Sequence, residues 1–399
     1  MDQRPQPAEP TVRRDFRIAV LTARALTAAL PDDELLRLLD DVLAGRVAPL
    51  LPLAGDDPHS RAIAAALRAG APIDDDITLV VPTSGSTGIP KGALLSTAAV
   101  LAGAAATHAR LGGPGSWLLA LPAHHIAGLQ VLVRALAAGT TPVRLDVSAG
   151  FDPAALPAAV AALAPGRRYL SVVSNQLAAA LADPAATAAL AELDAVLLGG
   201  GPAPAGVLAA AAAAGVAVVR SYGMSETAGG CVYDGVPLDG VRVRLDPGGR
   251  IRLGGPTLAR GYRNPVHPDP FAEPGWFATD DLGEFDDAGR LRVIGRRDDA
   301  IATGGLKVFP QPVEEALLSH PAVAEAVVFG LPDERLGQRV AAAITLVAGA
   351  AAPDVAELRD WVAGRLDRRA APRAVFVVAE IPRRGIGKPD RRALAARFG

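Results

Sequence analysis

The sequence predicts an α/β protein: a large N-terminal domain of mostly parallel, helix-covered sheets with a small barrel-like subdomain, followed by an α+β C-terminal domain. Three observations predict it. Short apolar runs alternate with helical stretches from residue 77 to residue 221, the pattern of a parallel sheet covered by helices. Near residue 234 glycine-punctuated short strands replace that alternation. Beyond Asp298 the order becomes hairpin, helix, two strands, helix, strand, loop and helix within about a hundred residues, enough for a separate domain. The expected boundary divides residues 1–297 from 298–399.

In chain order, DDELLRLLDDVLAG (32–45) sets Leu35, Leu38, Leu39 and Val42 on one face behind early acidic residues, as an amphipathic helix with favourable N-terminal charge does. SRAIAAALRAG (60–70) is a second helix. The alternation then places strands at 77–81, 116–121, 141–145, 168–173, 195–198 and 216–221, with helices at 95–110, 126–138, 152–164, 175–193 and 204–214. The uncharged run PAPAGVLAAAAAAGVAVV (202–219) is long enough to suggest a membrane span. Its alanine content, the break at Gly215 and its β-branched end instead predict a buried helix followed by a strand. VRVRL (241–245) and GRIRLG (249–254) carry the barrel-like part. The last unit places helices at 311–319, 354–366 and 389–397, and strands at 324–330, 339–347 and 374–378.

Composition narrows the function classes. The chain is 50% apolar and 21% charged over 399 residues, ample for a large core. A net charge of -2 gives no general attraction to nucleic acid or to an acidic membrane, so a polyanion must be held locally. One cysteine, Cys231, excludes an internal disulfide and a multi-cysteine metal cluster and suits a reducing compartment. The first residues lack an apolar signal region, which predicts an untargeted, cytoplasmic protein. No membrane insertion is expected, and the sequence leaves room for a homodimer.

PTSGSTGIPKG (82–92) has the chemistry of a phosphate-holding loop. Thr83, Ser84, Ser86 and Thr87 offer hydroxyls, Gly85 and Gly88 free the backbone to fold over an anion, and Lys91 supplies charge. It departs from a Walker A loop, because Pro90 replaces the second glycine and Gly92 stands where the metal-binding hydroxyl belongs. It follows a strand and precedes a helix, where ligands gather outside parallel strands. Alone, the loop does not choose among nucleotide chemistries. The pair His124 and His125 does not read as a metal site, since neighbours in a regular element face different ways and no Cys or acid lies nearby.

Five further stretches accompany the loop: LPAHHIAGL (121–129), SYGMSETAGG (221–230), WFATDDLG (276–283), GRRDDAIATGGLKVFPQPVE (295–314) and PRRGIGKPDRRAL (382–394). In order and spacing the six together resemble the acyl-adenylate-forming family of acyl-CoA synthetases, luciferases and peptide-synthetase adenylation domains. Within it, LPAHHIAGLQVLVRAL, GGGPAP (199–204), SYGMSETAGGCVYDG and DDAIATGGLKV are most similar to the branch that joins o-succinylbenzoate to CoA in menaquinone biosynthesis, in its short actinobacterial form.

The resemblance implies an acid activated by ATP as an acyl-AMP and then captured by a thiol, with ATP, Mg²⁺ and coenzyme A as cofactors and co-substrates. It implies that the loop and Lys91 embrace the β- and γ-phosphates, that Glu226 helps hold Mg²⁺, and that Ser225 meets the α-phosphate. Tyr222, beside Gly223 and with Gly199, Gly200 and Gly201 near it, would face adenine; Asp281 would bind ribose with help from Arg296. Lys388 would meet the carboxylate and α-phosphate, and His125 would border the acyl and pantetheine passage. A mobile C-terminal domain would swing about a hinge at Asp298 and bring in Gly304 and Gly305 to lie along pantetheine. Ser174, Asn175, Ala228, Gly229 and Gly230 would line the acyl pocket, and Arg134, Arg167, Arg168, Ser174 and Asn175 are candidates for the second carboxylate.

Two departures stand out. Fewer residues precede the loop than is usual in the family, and Asp280 takes the place of a customary glycine. A different acid or a carrier-protein acceptor is the alternative. A noncatalytic nucleotide-binding relative is a remote one, because Lys388, Glu226 and Asp281 are all present.

Overall fold

The computed structural model describes residues 19–27, 30–83, 90–384 and 388–399. The N-terminal part holds two sheets. In the smaller, Thr22–Ala25, Leu50–Leu53 and Leu79–Val81 run parallel and Ala93–Leu95 closes the edge antiparallel. The larger has the order Val236–Pro237, Gly229–Tyr233, Val218–Met224, Ala195–Gly199, Arg168–Val173, Ser116–Leu119 and Val143–Arg144. From Val218–Met224 to Val143–Arg144 it is parallel, and its other two strands are antiparallel.

Strand periodicity explains the two cores flanking this sheet. Successive side chains point to opposite faces, so Trp117, Leu119, Tyr169 and Leu197 join Val100 and Leu129 of the helices Thr97–Arg110 and Ile126–Ala138. Leu118, Leu170, Val196 and Leu198 meet Leu156, Leu177, Leu190 and Ala211 on the other face. The suspected membrane run is the helix Ala205–Ala213 followed by strand Val218–Met224, but the expected burial of the helix is corrected: only Ala211 is buried, because the helix lies on the outside of the sheet and most of its alanines face solvent. Among the described residues no helix is long and apolar enough to cross a membrane.

An antiparallel sheet, Arg242–Leu245, Arg250–Gly254, Trp276–Phe285 and Leu291–Arg296, forms the barrel-like part, with register shifts at Arg250/Arg252 and Leu282/Gly283 that bend it. The last sheet contains Leu306–Val308, Ile301–Thr303, Gly337–Leu346, Val323–Asp333 and Ala374–Val377. Its alternation again separates two cores. Val328, Val340, Ala342 and Ile344 pack with residues of Pro310–Leu318 and Val355–Ala363, whereas Phe329, Ala341 and Ala343 pack with Leu394 of Arg391–Phe398.

One local expectation is corrected. The phosphate-type loop does not lead from a strand into a helix; Val81 pairs with Ala93, so its flanks are antiparallel strands, and the helix begins only at Thr97. Ala93–Leu95 is short, and its run into an alanine-rich helix hides it from periodicity.

Candidate active site

The neck of the loop is narrow: Lys91 N donates to Thr83 O at 3.4 Å, and Thr83 Oγ1 is buried with no partner among the described residues. Ser84, Gly85, Ser86, Thr87 and Gly88 lie outside the described residues. Lys91 Nζ sits 5.2 Å from the ring centre of Tyr262.

Glu226 occupies a short 3-10 turn, Ser225–Thr227, at the end of strand Val218–Met224. The turn is held by Thr227, whose hydroxyl accepts from Met224 N at 3.0 Å and lies 2.7 Å from the Gly229 carbonyl. Ala228 and Gly229 then take left-handed conformations, φ 51° and 102°. At Gly223 a methyl group would lie 2.1 Å from Gly229 O, so the returning strand passes this close only because position 223 is glycine. Glu226 is buried, its Oε1 accepts from the Tyr262 hydroxyl at 2.6 Å, and it forms no ion pair among the described residues. A buried carboxylate with no protein cation suits a hard metal that keeps water and phosphate as its other ligands. No cluster of three or more His, Cys, Asp or Glu able to hold a metal occurs among the described residues.

The Tyr222 hydroxyl donates to Asp281 Oδ2 at 2.7 Å, joining the large parallel sheet to the antiparallel one. Burial and the Asp281 charge hold that phenol well above its usual pKa, so it remains a donor. Arg296 pairs with Asp298 at 2.9 Å and lies 3.5 Å from Asp280 and 3.8 Å from Asp281. Asp280, in the place of a customary glycine, also meets Arg297 at 3.5 Å and Arg250 at 3.6 Å.

His125 caps the helix Ile126–Ala138, its ring 4.2 Å from that of His124. Gly199 ends its strand, Gly200 has φ 82°, and Gly201 follows with open space around it. Ser174 donates to Pro202 O at 3.0 Å, and Asn175 Oδ1 accepts from Gln176 N. Gly230 lies against Ser221, where a methyl group would collide with its hydroxyl.

The arginine candidates separate sharply. Arg167 pairs with Asp194 at 3.2 Å and Arg168 with Glu192 at 3.4 Å, so both are already neutralised. Arg134 is only 4% exposed and forms no ion pair among the described residues. Its guanidinium lies 4.9 Å from the Trp117 ring and 3.5 Å from the Tyr233 hydroxyl, and its Nε has no partner among the described residues. Burial pulls its pKa down. Trp117 Nε1 and His108 Nε2 are also buried without partners among the described residues, so unfilled hydrogen-bonding positions gather around one cation.

The structure thus joins Lys91 and Glu226 through Tyr262, and Tyr222 to Asp281 and Arg296. Gly304 and Gly305 stand apart in the hairpin Ile301–Thr303/Leu306–Val308, both with positive φ, and Gly304 N donates to Leu336 O within the C-terminal sheet. Lys388 begins the two-residue strand Lys388–Pro389, paired with Arg383–Arg384. Sequence reading missed Tyr262 and Asn264. Tyr262 is one of only four tyrosines in the chain, a scarcity that could have singled it out.

Comparisons with known proteins show the family. Residues 19–263 match the AMP-binding enzyme family and residues 312–388 match the AMP-binding enzyme C-terminal domain. A probable 2-succinylbenzoate-CoA ligase from Mycobacterium tuberculosis (strain CDC 1551 / Oshkosh) is 64% identical over 355 residues, 87% of this chain and 93% of the relative. Among solved structures, o-succinylbenzoate CoA synthetase (MenE) from Bacillus subtilis in complex with the acyl-adenylate intermediate OSB-AMP is similar with a TM-score of 0.79 and 26% identity, covering 95% of this chain and 88% of that one. The same synthetase in complex with ATP and magnesium ion gives a TM-score of 0.76 at 26% identity, over 95% and 90% of the two chains. Matched over more than half its length, the chain belongs to the AMP-binding enzyme family.

Proposed function

We propose that the protein is an AMP-forming acid-CoA ligase that converts 2-succinylbenzoate to its CoA thioester for menaquinone biosynthesis, with ATP, Mg²⁺ and CoA. The observation that carries the choice of acid is Arg134. A buried arginine without a counter-ion is costly, and a substrate with a second carboxylate supplies one. Arg134 lies one helical turn beyond Gln130, whose side chain packs against Gly229 and Gly103.

In this reading a carboxylate oxygen of the acid attacks the α-phosphorus of ATP and pyrophosphate leaves. The CoA sulfur then attacks the acyl carbon, AMP leaves with the electron pair, and the thiol proton passes to solvent. The loop hydroxyls and Lys91 hold the leaving pyrophosphate, Ser225 meets the α-phosphate, and Lys388 neutralises charge between carboxylate and phosphorus. Tyr222 and the glycines 199–201 flank adenine, while Asp281 and Arg296 hold the ribose. Glu226 would help hold Mg²⁺, which would supply charge to offset the phosphates. Residues 298–399 act as a domain hinged at Asp298 that presents Lys388 for the first step and Gly304 and Gly305 for the second, with His125 at the passage. Ser174, Asn175, Ala228, Gly229 and Gly230 border the acyl group. We place the reaction in the cytoplasm, where ATP, CoA and a reduced Cys231 coexist.

ATP-pyrophosphate exchange followed by thioester detection tests the proposal. The wild type should use 2-succinylbenzoate far better than 4-oxo-4-phenylbutanoate, which lacks the ring carboxylate. Arg134→Met should lower kcat/KM for the diacid by about a hundredfold, the order expected for losing a buried charge partner, and change the monoacid little. Preference for a fatty or amino acid by the wild type, or equal losses for both aryl acids, would overturn it. Lys388→Ala should abolish exchange.

A further inference from the structure

The segment 259–264 belongs to no regular strand, yet its backbone is tied to its neighbours at both ends. Ala259 N donates to Glu226 O at 2.9 Å, Arg260 N to Leu94 O at 2.8 Å, and Gly261 O accepts from Leu94 N at 3.0 Å. Arg263 N then donates to Gly92 O at 2.8 Å and Asn264 N to Lys91 O at 3.0 Å. The Asn264 side chain adds a bond from Nδ2 to Pro90 O at 2.9 Å. One end of this strap therefore grips the turn of Glu226 and the other grips the exit of the phosphate loop.

Tyr262 stands between them. Its hydroxyl donates to Glu226 Oε1, its ring face lies under Lys91 Nζ, and its ring meets Phe271 edge-on at 5.4 Å, with Phe277 a further 4.8 Å behind. The ring cannot turn without disturbing that aromatic stack.

We propose that Tyr262 is a positioning residue of the ligase: it fixes the rotation of the Glu226 carboxylate so that its second oxygen faces the metal, and seats Lys91 at a set distance from it. This rests on the reading of Glu226 as a metal ligand. The residue acts through Glu226 and touches neither nucleotide nor acid. A partner that orients a ligating carboxylate typically contributes ten- to a hundredfold in metal affinity.

The test measures Mn²⁺ binding by electron paramagnetic resonance to the protein saturated with α,β-methylene-ATP, in the wild type, Tyr262→Phe, Glu226→Gln and the double variant. Tyr262→Phe removes a single oxygen and keeps the ring in its aromatic stack; the melting temperature of each variant is recorded beside its affinity. The expected result is about tenfold weaker Mn²⁺ binding in Tyr262→Phe, at least as large a loss in Glu226→Gln, and no further loss in the double variant, because one residue works through the other. Exchange activity of Tyr262→Phe should recover at saturating Mg²⁺. Wild-type Mn²⁺ affinity in Tyr262→Phe, or additive losses in the double variant, would overturn the inference. Unchanged affinity in Glu226→Gln would remove the metal role of Glu226 and this inference with it, while the choice of acid tested through Arg134 would stand.

Discussion

Cys231 and Arg134 show how differently burial acts on two polar side chains. Burial pushes the Cys231 thiol up to about 12, against a smaller opposing effect of the Thr227 hydroxyl. A thiol is an inert, compact apolar group when protonated, so this costs the protein little. Cys231 should therefore resist iodoacetamide at pH 8 in the native protein and react at the rate of unfolding; labelling within minutes without loss of structure would contradict its placement. Arginine has no such escape, since it stays charged in any accessible pH range. The cost of desolvating Arg134 must be met by the Trp117 face, by Tyr233 and, in our reading, by the substrate itself. Nothing in the one-dimensional sequence distinguishes Arg134 from Arg167 or Arg168. Only the positions of Asp194 and Glu192 beside the latter two do so.

At the scale of elements, a helix expected at 60–70 spans Pro58–Ala66, and its N-terminus makes a quantitative test. Asp57 caps the helix Pro58–Ala66, accepting from His59 N, Ser60 N and Ser60 Oγ. These bonds, that of the Ser60 hydroxyl first, lower its pKa from 3.8 to about 2. Because the folded pKa is depressed, the unfolded chain takes up the proton first as pH falls. The stabilisation is thus present above about pH 4 and lost as pH drops towards 2. Urea unfolding should find Asp57→Ala less stable than wild type at pH 6, with the difference narrowing below pH 4; a difference independent of pH would refute the assignment. The helices Ile126–Ala138 and the strand Arg168–Val173 match their sequence expectations at both ends. The strand Ala93–Leu95 and the pairing of Arg383–Arg384 with Lys388–Pro389 do not appear in the sequence reading, because two or three residues carry no period.

For the whole molecule, the Arg296 and Asp298 pair marks the point where the antiparallel sheet ends at Arg296 and the C-terminal sheet begins at Ile301. A domain rotation about Asp298 needs free backbone torsions there. Proline fixes φ and restricts the residue before it. Asp298→Pro should keep ATP-pyrophosphate exchange within about threefold of wild type and slow thioester formation at least about tenfold; equal effects on the two steps would argue against a hinge at this residue. The sequence by itself determined the layered α/β architecture and the family, and nominated the candidate site residues, because hydrophobic period and ordered glycine, hydroxyl and charge patterns are local properties of the chain. Only the tertiary structure decided which cation is left without a counter-ion, and that a strap more than thirty residues from Glu226 holds its carboxylate. Desolvation and hydrogen bonding depend on what surrounds a side chain in three dimensions, and residues such as Tyr262 and Arg134 acquire their partners only when distant segments fold together.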